Sequence, residues 1–340
     1  MVCSGTVPDH RREDSSMRYL FAVAAILSVS VTALPAQAND TMAHFAAGEL
    51  VFTQTDAVSM VSEDLFLSTE EVRVTYRFRN LTSQDVTGTV AFPMPEVRVT
   101  MSDADYPVGP EANPMRFSVT VDGRPLPVQF ESKAIVEGRD VTQILRDLKI
   151  PIPPYSDRVS SALEKLDQKT ISRLEKEGLV DPDNERSPNW ALAGSYHWQQ
   201  TFPAGRDTVI QHRYKPSVGA TVLSLESMVN ARSVEDMYLI GENSCMDKDF
   251  INGSKKWAAR QIKQGGGGIQ RMLEYILVTG ANWAGPIGTF TLTVDKGRPD
   301  NLVSYCGEGV KKIAPTQFQM VKKNFKPKQN LSVLILDTGR

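Results

Sequence analysis

The sequence predicts a mainly β protein: two β-sandwich-like units, with a helical insertion in the first. Three observations carry this reading. Apolar and polar residues alternate from Leu50 onward, glycine and proline cluster where the chain must reverse, and a helical period replaces the alternation at about residues 138–180. The expected division is a leader over 1–38, an N-terminal β-sandwich over 39–222 that contains the helices, and a C-terminal β-domain over 223–340.

The leader comes first. Met17-Arg18 precedes the apolar run Tyr19–Leu34, and Pro35-Ala-Gln-Ala38 closes it. A basic start, a short apolar centre and small residues before the cut are the parts of a secretory signal peptide. Cleavage is expected between Ala38 and Asn39, and the protein is expected to be periplasmic or secreted. The apolar run is shorter than the ~20 residues that cross a bilayer, and no later segment could span one. Net charge is −2, a near-neutral balance that argues against nucleic acid as a partner.

Strand signals begin at Leu50. In Glu71-Val-Arg-Val-Thr-Tyr-Arg-Phe-Arg79, the residues Val72, Val74, Tyr76 and Phe78 share one face and the arginines the other. That is a half-buried strand with a wet side. Val86–Phe92 is a second strand, stopped by Pro93-Met-Pro95. Met115–Val121 meets Asp122-Gly123, a hairpin signal, before Leu126–Lys133.

Helices follow. Val141, Ile144, Leu145 and Leu148 form one apolar stripe, ended by Pro151, Pro153 and Pro154. Asp157 can cap a second helix carrying Val159, Leu163, Leu166, Ile171 and Leu174, with Gly178 as its stop. The charged remainder reads as a solvated face, or more sharply as a flap or a partner-docking arm. Strands resume at Ser195–Phe202 and Thr208–Tyr214. A symmetric hairpin across Pro203–Arg206 would set His197 opposite His212.

The C-terminal part starts with a strand at Met237–Ile240, then a helix over Asp247–Ile262 and a glycine joint at 265–268. Tyr275–Thr279 and Thr289–Val294 read as a hairpin around Gly280–Gly288, and further strands follow at Thr316–Val321 and Leu331–Leu336. Removing the leader deletes Cys3 and leaves Cys245 and Cys306. In an exported chain such a pair most simply forms one disulfide, worth ~4 kcal/mol by loop entropy. Two free thiols are the alternative.

Two resemblances rest on quoted segments. A strand ending Tyr-Arg-Phe-Arg-Asn80, then Val-Ala-Phe-Pro-Met-Pro95 and a hairpin rising to Val-Asp-Gly123, resembles the β-sandwich module at the head of inter-α-trypsin-inhibitor heavy chains (VIT-like). Across its mature length the chain is similar to an exported bacterial family, domain of unknown function 4424. That likeness is carried by Gly48–Phe52, Ser62–Phe66, Trp198–Gly205, His212–Pro216, Thr279–Gly288 and Tyr305–Gly309. It implies compartment and fold, and brings no activity.

Chemistry-bearing motifs are few. GxSxG, HExxH, GxGxxG and the phosphate-binding glycine–lysine loop do not occur. No catalytic residue and no cofactor is expected. His197 and His212 could share a metal if they are cross-strand neighbours, but closed zinc sites want four ligands, so two polar residues on a sheet face is the simpler reading. Asp181, Asp183 and Glu185, and separately Asp247 and Asp249, could offer oxygens to calcium without completing its usual loop. Trp190, Trp198 and Trp257 read as core. Asn282 and Trp283 form the candidate contact site, because a turn displays side chains outward; the alternative is a plug for the end of the sandwich. Lysines 311, 312, 322, 323, 326 and 328 read as guards of a sheet edge. The function expected is a non-catalytic exported protein that binds a ligand or partner at the cell envelope. The alternatives are an exported hydrolase with an unrecognised site, or a structural or assembly factor acting through the helices.

Overall fold

The computed structural model describes residues 39–338, other than 47–48, 100–111, 184–185, 234, 238 and 240–243. Ala38 and the rest of the expected leader lie outside the described residues. In chain order come β1 (Thr41–Ala46), β2 (Glu49–Thr53), β3 (Val58–Leu67), β4 (Val72–Asn80), β5 (Val86–Pro93), β6 (Ser118–Val121), β7 (Arg124–Leu126), β8 (Gln129–Val136) and β9 (Arg139–Asp140). The helices α1 (Thr142–Asp147), α2 (Arg158–Leu163) and α3 (Gln168–Lys176) are followed by β10 (Val180–Asp181), β11 (Ser187–Pro188), β12 (Ala191–Phe202), β13 (Asp207–Tyr214) and β14 (Gly219–Val222). Then come α4 (Leu225–Asn230), α5 (Lys248–Lys263), β15 (Ile269–Tyr275), β16 (Ile287–Asp295), β17 (Leu302–Tyr305), β18 (Lys311–Lys312), β19 (Gln317–Phe325) and β20 (Leu331–Asp337).

Most of these strands fall into three sheets. A six-stranded sheet runs β2-β1-β5-β12-β8-β9, an eight-stranded sheet β18-β19-β16-β3-β4-β13-β6-β7, and a four-stranded sheet β14-β15-β20-β17. In β4 the alternation acts as expected. Val72, Val74, Tyr76 and Phe78 are buried, while Arg77 and Arg79 meet Asp207 on the wet face at 3.5 and 2.6 Å. Rings carry the contact between the two larger sheets: Phe92 on β5 meets Tyr214 on β13 at 5.7 Å, and Trp198 on β12 meets His212 at 5.4 Å. The small sheet sends Leu273, Tyr275, Val333 and Ile335 into the same core. Its other face, with Leu334 and Leu336, packs under α4 and α5 around Trp257.

Two expected hairpins do not form. β12 pairs with β5 and β8, whereas β13 pairs with β4 and β6, so the loop at 203–206 carries the chain from one sheet to the other. His197 stands opposite Ala91 and Gln129, and His212 opposite Val74 and Val119. Likewise β15 and β16, on either side of the glycine-rich turn, belong to different sheets. Alternation specifies the face a residue takes, not the strand beside it, so a crossover and a hairpin look alike in sequence. Met237 ends a 3-10 turn at Glu235–Met237 instead of opening a strand.

The boundary expected at 222/223 does not coincide with a sheet boundary. β16 pairs in parallel with β3, setting Phe290 against Glu63, and β19 continues the same sheet. Helices α1–α3 lie in the chain between the neighbouring antiparallel strands β8 and β12. They form their own apolar cluster, in which Leu145, Val159, Leu163, Ile171 and Leu174 meet Ala134, Val136 and Trp190. The single second helix expected there is two, and Asp167 caps the latter by accepting from the Thr170 amide.

Candidate functional site

The outer face of the six-stranded sheet holds a cleft of about 480 Å³. Its floor comes from strand register. Ala193 on β12 lies opposite Lys133 on β8, and Ser195 lies opposite both Glu131 and Pro93. Leu50 and Phe52 of β2 give an apolar side, and Thr142, Gln143 and Arg146 of α1 give the polar wall. The volume falls within the roughly 300–1,000 Å³ of small-molecule sites.

Its charges are unevenly satisfied. Lys133 Nζ lies 3.4 Å from Asp140. Burial pushes the Asp140 carboxyl up, but hydrogen bonds from Thr142 and the charge of Lys133 outweigh it and hold the group below the usual range. Arg146 is exposed on the last turn of α1, and its guanidinium has no side-chain partner among the described residues. The arrangement offers the exposed Arg146 guanidinium, a lysine paired with Asp140, the Glu131 carboxylate, hydroxyls and an apolar flank. It suits a small ligand with an anionic group at one end.

A second polar group of residues sits inside the core. Glu63 would face solvent if β3 alternated without interruption. A bulge between Met60 and Ser62 advances the phase by one residue, so Val58 and Met60 are followed inward by Glu63, Leu65 and Leu67. Gly288 on β16 permits this bulge, because a Cβ there would stand 2.5 Å from the Val61 carbonyl oxygen.

Glu63 accepts hydrogen bonds from Asn39 Nδ2 at 3.0 Å and Tyr275 Oη at 3.3 Å, and Tyr275 touches Tyr76 hydroxyl to hydroxyl. Burial pushes the Glu63 carboxyl up to about 8 against the pull of those bonds. Burial, and then the charge of Glu63, raise Asp40 well above the usual range. His212 Nε2 lies 3.6 Å from Asp40 Oδ1, and burial lowers the imidazole to about 3. Among the described residues, neither carboxylate oxygen of Asp40 and neither ring nitrogen of His212 has a hydrogen-bond partner. All six residues are buried, so a solute has no access to them.

The residues singled out in the sequence are placed as follows. His197 and His212 lie on different sheets and do not form a metal pair. The adjacent Trp198 meets His212, so His197 points the other way, edge-on to Phe45 at 5.2 Å and 3.8 Å from Glu131 of the cleft. Burial lowers its imidazole more than Glu131 lifts it. Among the described residues no group of three or more His, Cys, Asp or Glu could hold a metal ion. Asp181 accepts from the Asp183 amide and Asp247 caps α5, while Glu185 lies outside the described residues.

Trp283 is not displayed outward. It is buried against Phe78 at 4.4 Å and Phe202 at 5.8 Å, and donates to the Asp40 carbonyl at 2.5 Å. Asn282 donates to Thr41 Oγ1 at 3.0 Å. The turn curls inward because the N-terminal segment fills its concave side. Cys245 and Cys306 are bonded, with Cα atoms 4.9 Å apart. Lys311 and Lys312 form the edge strand β18. Sequence reasoning missed the sealed cluster. Its signals were the Asn39-Asp40 pair and an acidic residue in a strand, neither of which announces burial.

Residues 38–334 match the profile of the family described as Domain of unknown function (DUF4424). A Legionella pneumophila protein of known structure, provisionally described as nutrient-binding, is similar at 18% identity with a TM-score of 0.45, over 89% of this chain and 71% of that one. A search of the curated proteins finds no match. Among the described residues no helix is long and apolar enough to cross a membrane.

Proposed function

The chain belongs to the DUF4424 family, and on that premise we propose that it is an exported, non-catalytic protein that binds a small ligand in the cleft beside α1. The carrying observation is the Arg146 guanidinium, without a side-chain partner among the described residues, over a floor of Lys133, Ser132 and Ser195, flanked by Leu50 and Phe52. An available cation with an apolar flank favours a small carboxylate or phosphate compound over a neutral sugar. Export is supported by the leader-like residues 1–38 and by a disulfide, which persists in oxidising compartments. Within the same reading, the strands around Pro93-Met-Pro95 and Asp122-Gly123 form a sandwich unit like the heavy-chain module, with the helices inserted in it. A hydrolase reading has no support from the acid and histidine groups of the core, which no substrate reaches.

Calorimetric titration of the purified protein with small mono- and dicarboxylates and with inorganic phosphate tests the reading. One-to-one binding weakened by Arg146→Gln is expected. If no compound binds, or if binding is indifferent to both Arg146→Gln and Lys133→Gln, the cleft is not the ligand site.

A further inference from the structure

Asn39 and Asp40 are fully buried, although they follow directly on the expected leader. The segment is held as a built part of the core. Asn39 Nδ2 donates to Glu63, Asn39 Oδ1 accepts from the Asp40 amide at 3.0 Å, and the turn at 278–283 closes over both residues. Gly280 packs so closely that a Cβ there would stand 2.7 Å from Asn39 Nδ2. Trp283 and Asn282 then fix the Asp40 carbonyl and the Thr41 hydroxyl.

The cluster is short of positive charge. Its titratable groups are Asp40 on the N-terminal segment, Glu63 on β3, Tyr76 on β4, His212 on β13 and Tyr275 at the end of β15. Two are carboxyls, both Asp40 oxygens lack a hydrogen bond among the described residues, and the imidazole facing them is neutral. Buried carboxylates without a paired cation are strongly unfavourable. The backbone nitrogen of Asn39 is four bonds from the side-chain nitrogen already bonded to Glu63, so the two nitrogens lie within about 5 Å.

We propose that the α-amino group of Asn39, freed by removal of the leader after Ala38, is the missing counter-ion: a buried ammonium paired with the Glu63 carboxylate. This rests on the export reading. The step is a hydrolysis. Water adds across the Ala38–Asn39 amide, the C–N bond breaks, Ala38 departs with the leader as a carboxylate carrying the water oxygen, and the nitrogen becomes an ammonium by taking up the equivalent of that water's two protons. Asp40 keeps its own proton beside His212. Because Asn39 is buried in the folded protein, the cut precedes closure of the cluster.

Three measurements on the exported, processed protein test this. Intact mass establishes the first residue; a chain beginning elsewhere than Asn39 sinks the processing reading, and this inference with it. On a chain that does begin at Asn39, trace acetylation compares the α-amine in the folded and urea-unfolded states. Protection of about tenfold or more is expected in the folded state, while equal rates would overturn the ion pair and leave processing intact. A form processed to carry Gly-Ser ahead of Asn39 moves the amine away. It is expected to melt lower than wild type, with Glu63→Gln costing less in it than in the wild-type background. An unchanged Tm, or an unchanged cost of Glu63→Gln, overturns the pairing, and the acetylation result decides alone if the extended form does not fold.

Discussion

The hydroxyl oxygens of Tyr76 and Tyr275 lie 2.9 Å apart, although 199 residues separate them in the chain. Tyr275 also donates to Glu63, so a single phenol ties β15 of the small sheet to β3 and β4 of the large one. Tyr275→Phe leaves the Tyr76 hydroxyl and one Glu63 oxygen without this partner in a sealed space. The expected loss is about 1–3 kcal/mol, read from urea unfolding, and the double variant with Tyr76→Phe should lose less than the two single losses combined. Additive losses would show that the two hydroxyls act independently.

The bulge at Val61 gives a second test. Gly288→Ala places a methyl 2.5 Å from the Val61 carbonyl, which is backbone and cannot rotate away. An overpacked contact of this kind is expected to cost about 1–3 kcal/mol. If thermal unfolding of Gly288→Ala matches wild type, β3 can shift without disturbing Glu63.

The sealed cluster makes stability depend on pH, with opposite signs on its two sides. In a chain still carrying residues ahead of Asn39, burial lifts Glu63 to about 8, so the folded state keeps a proton that the unfolded state has lost above its ordinary value of 4.5. Stability from this group is present below that value and is lost as pH rises toward 8; Asp40, also raised, has the same sign. His212, lowered to about 3 from 6.5, works the other way, and its contribution is lost as pH falls through that interval. Between pH 6.5 and 8 the carboxyls act without it, and Glu63 alone is expected to contribute a fall on the order of 2 kcal/mol. Glu63→Gln should make that limb shallower in urea titrations across the range. A limb of unchanged slope would remove Glu63 as its source.

The disulfide closes a separation of 61 residues around α5 and β15. Reducing it, or replacing both Cys245 and Cys306 by Ser, is expected to cost about 2–5 kcal/mol. The comparison is the urea midpoint with and without reductant.

Filling the cleft separates binding from folding. Ala193 lies on its floor, on the face of β12 away from Tyr196 and Trp198. Ala193→Phe should abolish ligand binding in the titration while moving stability by no more than about 0.5 kcal/mol. Full binding by the variant would place the ligand elsewhere.

What the sequence disclosed follows from which physics is local. Alternation in Val72–Phe78 depends on neighbouring residues alone, and β4 forms as read. Asp247 caps α5 through an amide three residues on, and that too is visible in the chain. The partners of β12 are not. Its neighbours are β5 and β8, chosen by faces assembled from distant segments, so the turn at 203–206 looked like a hairpin. The burial of Glu63 is not visible in the chain for the same reason, since the bulge that turns it inward is accommodated by Gly288 across the sheet. Trp283 appeared exposed because its covering segment, Asp40 and Thr41, lies at the far end of the chain. The segments Ser62–Phe66, His212–Pro216 and Thr279–Gly288, quoted separately for their family likeness, meet at the sealed cluster.

The parallel pairing of β3 with β16 also sets an order of events during synthesis. The ribosome releases β3 and β4 long before β16 exists, so the nascent N-terminal half carries one open strand edge until the last quarter of the chain emerges. An open edge is a template for wrong partners. The nascent chain therefore has a vulnerable interval, which ends only when β16 pairs with β3.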